Sequence, residues 1–138
     1  MTPTGLPIRN DSGGSGHYGA LRSKIDSNGN KVFYNHKGVD YSCVPGQDIW
    51  AFSTGHIIRP SDPYGDGDYS GMIFETKRAL FKVFYFVPYE NLIGKIVKIG
   101  DNIGKAQDIS LRYPELGVTP HVHVQITSCD PEILLKGM

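Results

Sequence analysis

Two short histidine-containing motifs constrain the fold of this chain more than any other feature. The first is His36-Lys37-Gly38-Val39-Asp40, and the second, much later in the chain, is His121-Val122-His123. In an extended strand, residues separated by an even number of positions point to the same face. Gly38 disfavours a helix at the first motif. The two motifs therefore predict strands or strand ends that present their histidine and aspartate side chains on common faces.

The side chains of these motifs supply the donor atoms that zinc prefers. Zinc binds histidine nitrogen and aspartate oxygen, and a catalytic zinc site uses three protein ligands and leaves one position for water. Any three of the four groups would complete such a site and leave the fourth free to handle protons: His36, Asp40, His121 and His123. The alternative is that each motif is an ordinary pair of surface or core side chains. The metal site is favoured because three of the chain's five histidines fall within the two motifs.

The composition favours short strands over a helical bundle. The 138 residues include 17 glycines and 9 prolines, and β-branched or aromatic runs alternate with turn signals. The length suits one domain with a hydrophobic core. The sequence therefore predicts a single all-β domain, a sandwich or partly closed barrel of short antiparallel strands with little helix.

Charge and hydropathy argue against two classes of partner. Lys+Arg and Asp+Glu both number 14, so no basic surplus indicates a nucleic acid or an anionic membrane surface. No apolar run approaches the length of about 20 residues that a membrane span requires. We therefore expect neither a nucleic-acid partner nor a membrane partner.

The N-terminal segment differs in composition from the rest of the chain. Residues 1–16 are rich in Pro, Gly and Ser and predict a loop draped over the domain, which occupies residues 17–138. Residues 1–7 have neither the charged nor the apolar region of a signal peptide. We expect a mature or trimmed form, or a protein made in the cytoplasm and released by another route.

Local patterns predict several regular elements. The most strand-like runs, rich in β-branched and aromatic residues, cover residues 72–76 and 80–87. The second histidine motif begins a predicted strand over residues 121–126. After an N-cap and a proline, residues 133–136 predict a short closing helix.

The two cysteines, Cys43 and Cys129, do not form a metal-binding motif. Each follows one of the histidine motifs by a few residues, so a disulfide between the two segments is one interpretation. Two buried free thiols are the favoured interpretation, because this is the common state of cysteine in a cytoplasmic product.

Several segments follow one another in a recognisable order. They are residues 18–22, 36–40, 49–55, 97–107 and 120–123. In this order they resemble the motifs of the lysostaphin-type, LytM-like zinc metallopeptidases, with Ala106 at a position where that family usually has glycine. The resemblance covers roughly residues 16–126, nearly the whole domain.

The resemblance implies a fold, a metal and a set of roles. The implied fold is all-β, with the duplicated hybrid motif of LytM-like domains. The implied ligands of one Zn²⁺ per chain are His36, Asp40 and His123, and His121 becomes a catalytic histidine beside the metal.

One position departs from the family pattern. Active members usually carry a further histidine in a Tyr-x-His pattern, and here Val87 stands at about that place. The leukocyte cell-derived chemotaxin group of this fold shares the departure. The candidate substitutes for the missing catalytic histidine are His17 and Tyr85.

The function implied by the resemblance is a zinc-dependent endopeptidase that hydrolyses peptide bonds in peptidoglycan cross-links or stem peptides. The expected partner is a peptidoglycan peptide, and a larger phage or wall-lytic assembly is a further expected context. The expected location is a phage virion or a released lysin acting at the cell wall, or alternatively the cytoplasm as made. The alternative function is a catalytically impaired zinc-binding recognition module of the chemotaxin kind.

Overall fold

The computed structural model describes residues 1–136, with the backbone alone described at residues 133 and 134. Thirteen strands are found in this part of the chain: Asn10–Asp11 (β1), Gly14–Ser15 (β2), Leu21–Ile25 (β3), Lys31–Asn35 (β4), Val39–Ser42 (β5), Asp48–Trp50 (β6), Gly55–Ser61 (β7), Gly71–Glu75 (β8), Ala79–Phe84 (β9), Phe86–Pro88 (β10), Ile96–Val97 (β11), Asn102–Ala106 (β12) and His121–Cys129 (β13). The helices are Pro131–Lys136 (α1) and two short 3₁₀ helices, Glu90–Leu92 and Ile109–Arg112. The predicted all-β class is confirmed.

The strands form two main sheets and two separate hairpins, and all their pairings are antiparallel. The larger sheet has six strands in the order β11-β7-β8-β9-β13-β5, and the smaller has three in the order β10-β12-β6. The hairpins are β1-β2 and β3-β4. No helix in the described part of the chain has the length and apolar character of a membrane span.

Side chains from both main sheets form one hydrophobic core. Phe74 of β8 and Val83 of β9 belong to the larger sheet, and Phe86 of β10 and Ile103 of β12 belong to the smaller. All four are fully buried. Burial of one such side chain stabilises the fold by about 1.5–3 kcal/mol, so this shared core holds the two sheets together.

The prediction of one continuous strand over residues 80–87 is wrong. Tyr85 has a φ of 79° and ends β9, and β10 then begins in the other sheet. The Tyr85 N–H donates to the Ser70 carbonyl at 2.8 Å, and its carbonyl accepts from the Gln107 N–H at 2.9 Å. These bonds hold the strained residue in place, whereas its β-favouring neighbours give no sign of the break.

Three further expectations are refined. Residues 1–16 include the β1-β2 hairpin and the buried Arg9, so they are more ordered than a draped loop. The strand predicted over residues 121–126 continues to Cys129. Both cysteines are free thiols, as favoured, but Cys43 alone is buried, because Cys129 lies at the exposed end of β13.

Candidate metal centre

The pairing of β5 with β13 brings the two motifs together. His123 lies directly opposite Asp40 in this antiparallel pair. His123 Nδ1 is 2.8 Å from Asp40 Oδ1, although the two residues are 83 positions apart in the chain. Cross-strand partners on one face are close neighbours, so the register alone creates half of the site.

His36 is the third member of the cluster and precedes β5. Its backbone N–H donates to the Ala20 carbonyl at 2.8 Å, and its carbonyl accepts from the Gly19 N–H at 2.8 Å. Its Nε2 atom lies 3.2 Å from His123 Nδ1 and 3.3 Å from Asp40 Oδ1. One donor atom from each of the three residues thus falls within 4.8 Å of the others.

Gly38 makes room for this cluster. A Cβ atom at residue 38 would lie 2.5 Å from the Val124 carbonyl oxygen and 2.6 Å from His123 Cε1. These distances are shorter than van der Waals contacts allow. The glycine of the first motif is therefore needed for close approach of the His123 ring and the β13 backbone.

The hydrogen bonds of the imidazole rings direct their free nitrogens into the site. His36 Nδ1 is 3.1 Å from the His17 carbonyl oxygen, and His123 Nε2 is 3.1 Å from Gln125 Oε1. Each oxygen accepts from a ring N–H, so lone pairs remain on His36 Nε2 and His123 Nδ1. Two facing lone pairs beside a carboxylate oxygen need a cation or a proton between them. The donor set and its outer hydrogen bonds therefore fit zinc.

The second oxygen of Asp40 is held on the protein side. Arg9 Nε donates to Asp40 Oδ2 at 2.9 Å, and Arg22 lies 3.7 Å from the same oxygen. Burial alone would raise the pKa of Asp40, but the His123 and His36 rings beside it hold that pKa well below its usual value. The carboxylate is consequently ionised at neutral pH and available to a metal.

His121 lies beside the cluster without joining it. Its Nδ1 atom donates to the Thr119 carbonyl at 2.7 Å, and its Nε2 atom is 3.6 Å from Asp40 Oδ2. Burial lowers the pKa of His121, against an opposing effect of Asp40. The ring is therefore a neutral imidazole whose free nitrogen faces the site.

Tyr85 forms the other side of the centre. Its ring meets His121 edge to face at 5.5 Å between ring centroids. Its hydroxyl is 3.1 Å from that of Tyr64, which is 2.8 Å from the hydroxyl of Tyr113. Burial raises the pKa of Tyr85 to about 12. A protonated phenol in this position can donate a hydrogen bond to a bound ligand.

The remaining predicted positions lie differently. His17 is exposed, and its backbone carbonyl is the atom that orients His36. Val87 is 49% exposed and pairs with Lys105 of the smaller sheet. The structure thus brings the Tyr85 ring, rather than the His17 ring, close to the imidazoles of His121 and His123.

These groups line one open groove of about 740 Å³. The β3-β4 hairpin contributes Arg22 and Lys24 to the lining, and other segments contribute Tyr64, Tyr113 and Leu116. The volume is in the range of small-molecule and peptide-fragment pockets. A ligand in this groove would lie beside the three donor side chains, His121 and Tyr85 together.

Sequence reasoning missed several groups at this site. Gln125 follows His123 by two positions in one strand, so the same even spacing would have placed it on the site face. Arg9 and Tyr64 lie in segments rich in turn-forming residues, and no local pattern marks them. Both reach the site through long-range packing, which a periodicity argument does not detect.

Comparison with known proteins identifies two proteins that are similar in sequence and one solved structure that is similar in fold. No protein-family model matches it. It is 31% identical over 122 residues to leukocyte cell-derived chemotaxin-2 of Mus musculus, covering 87% of this chain and 71% of the relative. The protein of the same name from Bos taurus is 30% identical with the same coverage. The catalytic domain of the antimicrobial peptidase lysostaphin from Staphylococcus simulans has a TM-score of 0.50 and 27% identity, covering 74% of this chain and 80% of that chain.

Proposed function

Because the chain belongs to the family of leukocyte cell-derived chemotaxin-2 and has the lysostaphin-type fold, we propose that it is a zinc-dependent endopeptidase acting on peptidoglycan cross-links or stem peptides. One observation carries the proposal: three donor atoms converge beside a fourth imidazole, His121, whose free nitrogen faces the same open groove. A structural zinc site is normally closed by four protein ligands. Three ligands in an open groove therefore favour a catalytic metal site over a structural one.

The proposed ligands are His36 through Nε2, Asp40 through Oδ1 and His123 through Nδ1. When bound, zinc supplies Lewis acidity that polarises a carbonyl group and lowers the pKa of a water molecule. The protein contributes the orientation of the ligands, since the His17 carbonyl and Gln125 hold the two rings in the required tautomers.

His121 is the proposed general base. The Thr119 carbonyl holds the proton on Nδ1, so Nε2 can accept the proton of the attacking water. The same nitrogen can then deliver that proton to the leaving amine. The role requires a neutral ring near the metal ligands, and the lowered pKa of buried His121 favours that state.

Tyr85 is the proposed hydrogen-bond donor to the carbonyl oxygen under attack. Its hydroxyl stays protonated because burial raises its pKa to about 12. Tyr64 fixes its orientation through the hydroxyl contact at 3.1 Å. Preorganised donors of this kind stabilise the negative charge that develops in the transition state. In this proposal the Tyr85 hydroxyl performs the role of the further catalytic histidine of the family, at whose place this chain has Val87.

The second candidate function is recognition without hydrolysis. It is favoured by Val87, which leaves His121 as the sole imidazole beside the three metal ligands in residues 1–136. The proposed metal would then contribute folding free energy, and the groove would bind a peptide without cutting it.

A dye-release assay on several peptidoglycan types separates these functions. The zinc-loaded wild type is expected to release dye from at least one type, and His121→Ala is expected to lose this activity by a factor of about 10²–10⁴. Chelation should abolish the release and added Zn²⁺ should restore it. Equal release by both proteins, or none by the wild type on any wall, would favour the recognition module.

A further inference from the structure

The two arginines in the groove are electrically balanced by neighbouring carboxylates. Arg9 contacts Asp40 at 2.9 Å and Asp11 at 3.0 Å. Arg22 lies 3.7 Å from Asp40. Two guanidinium groups thus face two carboxylates, and the inner part of the groove carries little net charge before any metal binds.

Two lysines that line the groove lack such partners. Lys24 and Lys37 both line the groove and are exposed, and neither forms an ion pair with any carboxylate among the described residues. Lys24 shares a hairpin face with Arg22, because the two are separated by two positions in β3. Its ammonium group lies 5.5 Å from the centre of the Tyr34 ring, also in the groove wall.

A second group of lining side chains carries no charge. These side chains are aromatic or apolar: Tyr64, Tyr85, Ile109, Tyr113, Leu116 and Val118. The nearby Arg112 is engaged by Asp66 at 2.9 Å and stacks over Tyr64. Lys24 and Lys37 are therefore the cations of the lining that no carboxylate balances, and Asp40 is the one acid among the described residues that line the groove.

We propose that this groove selects peptides that carry a free carboxylate close to the bond held at the metal centre. Lys24 and Lys37 are the specificity-determining groups, because their charge is not neutralised within the described chain. A cleft lined by one sign of charge concentrates ligands of the opposite sign. The inference rests on the proposed function for the location of the ligand, and it narrows the substrate class from wall peptides in general to acidic ones.

A binding experiment tests the inference without relying on hydrolysis. The probes are two synthetic muropeptides that differ only in whether one glutamate carries a free carboxylate or a carboxamide. The titration is done by calorimetry with the zinc-loaded 138-residue chain carrying His121→Ala, so that the ligand stays intact. We expect about tenfold tighter binding of the carboxylate form, since an exposed ion pair contributes up to about fivefold for each lysine. The preference should shrink at high salt.

Paired variants identify the groups responsible. In the same background, Lys24→Gln with Lys37→Gln should remove the preference and leave the carboxamide affinity unchanged. Lys95→Gln, an exposed lysine outside the groove, should retain the preference.

Each outcome separates the two proposals. Equal affinity of the His121→Ala protein for the two probes, or a preference that survives the double lysine change, overturns the inference. Failure to bind either probe overturns it together with the use of this groove for wall peptides. Preferential binding of the carboxylate probe, together with no dye release by the wild type from any peptidoglycan type, keeps the inference and removes the peptidase.

Discussion

Arg9 Nε donates a hydrogen bond to Asp40 Oδ2 at 2.9 Å, while Oδ1 of the same carboxylate faces His36 and His123. Both partners of this pair are almost completely buried, at 5% and 3% side-chain exposure. The guanidinium therefore occupies one carboxylate oxygen and leaves the other for a metal. Arg9 acts as a positioning residue for the proposed ligand.

Substitution Arg9→Met should weaken both the fold and the metal site. It leaves a buried carboxylate without its partner, a change that typically costs about 3–5 kcal/mol. We expect the free energy of unfolding in urea to fall by an amount of this order, and zinc affinity to fall about 10–100-fold. Arg9→Lys should be intermediate, because it keeps the charge and loses the fork geometry. Unchanged zinc affinity in Arg9→Met would contradict the positioning role.

Substitution Gly38→Ala tests the close approach at the first motif. The added Cβ would displace the His123 ring or the Val124 carbonyl, which lie 2.6 Å and 2.5 Å from its position. Zinc affinity should fall by about tenfold or more, with the far-ultraviolet circular dichroism spectrum retained. A competition titration with a chromophoric chelator measures the affinity. Wild-type affinity would mean that the ring is not held where the structure has it.

The cysteines should differ in reactivity, and neither should bind the metal. Cys129 is exposed and Cys43 is buried. A thiol-disulfide reagent should therefore modify one thiol of the native protein rapidly and the second only after unfolding. Changing both to Ser should leave one zinc per chain. Loss of zinc from the double variant would reassign the ligands to a cysteine-containing set.

Cys43 should also make stability depend on pH in the alkaline range. Burial, with a smaller effect of Asp108, raises the pKa of Cys43 to about 12. The folded state therefore favours the protonated thiol. This contribution is fully present below about pH 8.5, the unfolded value, and is lost as the pH rises towards 12. Thermal unfolding between these limits should be less pH-dependent in Cys43→Ala than in the wild type; parallel curves would contradict this.

Substitution Tyr85→Phe tests the proposed hydrogen-bond donor. It removes the hydroxyl and keeps the ring that packs on His121. If Tyr85 stabilises the developing oxyanion, kcat should fall about 10²–10³-fold with KM little changed. His17→Ala is the matched comparison and should retain most activity, because the exposed His17 contributes its carbonyl, which survives the change. The reverse pattern would assign the role to His17.

The all-β class and the metal motifs were predictable because both depend on local spacing. Even spacing places His121 and His123 on one face of β13, whereas His36 lies in the non-strand segment between β4 and β5 and reaches Asp40 from there. The structure brings one donor atom from each of three of these groups within 4.8 Å of the others. Their roles as ligands stay predictions until metal is measured.

The remaining parts of the site depend on contacts between distant segments. The sequence around Tyr85 predicts an uninterrupted strand, yet this residue has a left-handed backbone conformation. The Ser70 and Gln107 backbone atoms that hold it come from other parts of the chain. Arg9 likewise reaches Asp40 from a segment whose composition indicates only a loop. Long-range packing of this kind overrides local propensity and leaves no periodic signal.

The break at Tyr85 also bears on how such domains diverge. Asp40, His121 and His123 belong to adjacent strands of one sheet, whereas Tyr85 stands at the junction with the other. Substitutions at the junction can therefore change the surface that faces a ligand while the strands that carry Asp40, His121 and His123 stay intact. The groups that meet a ligand can in this way vary at the junction between the two sheets without any change in the donor set.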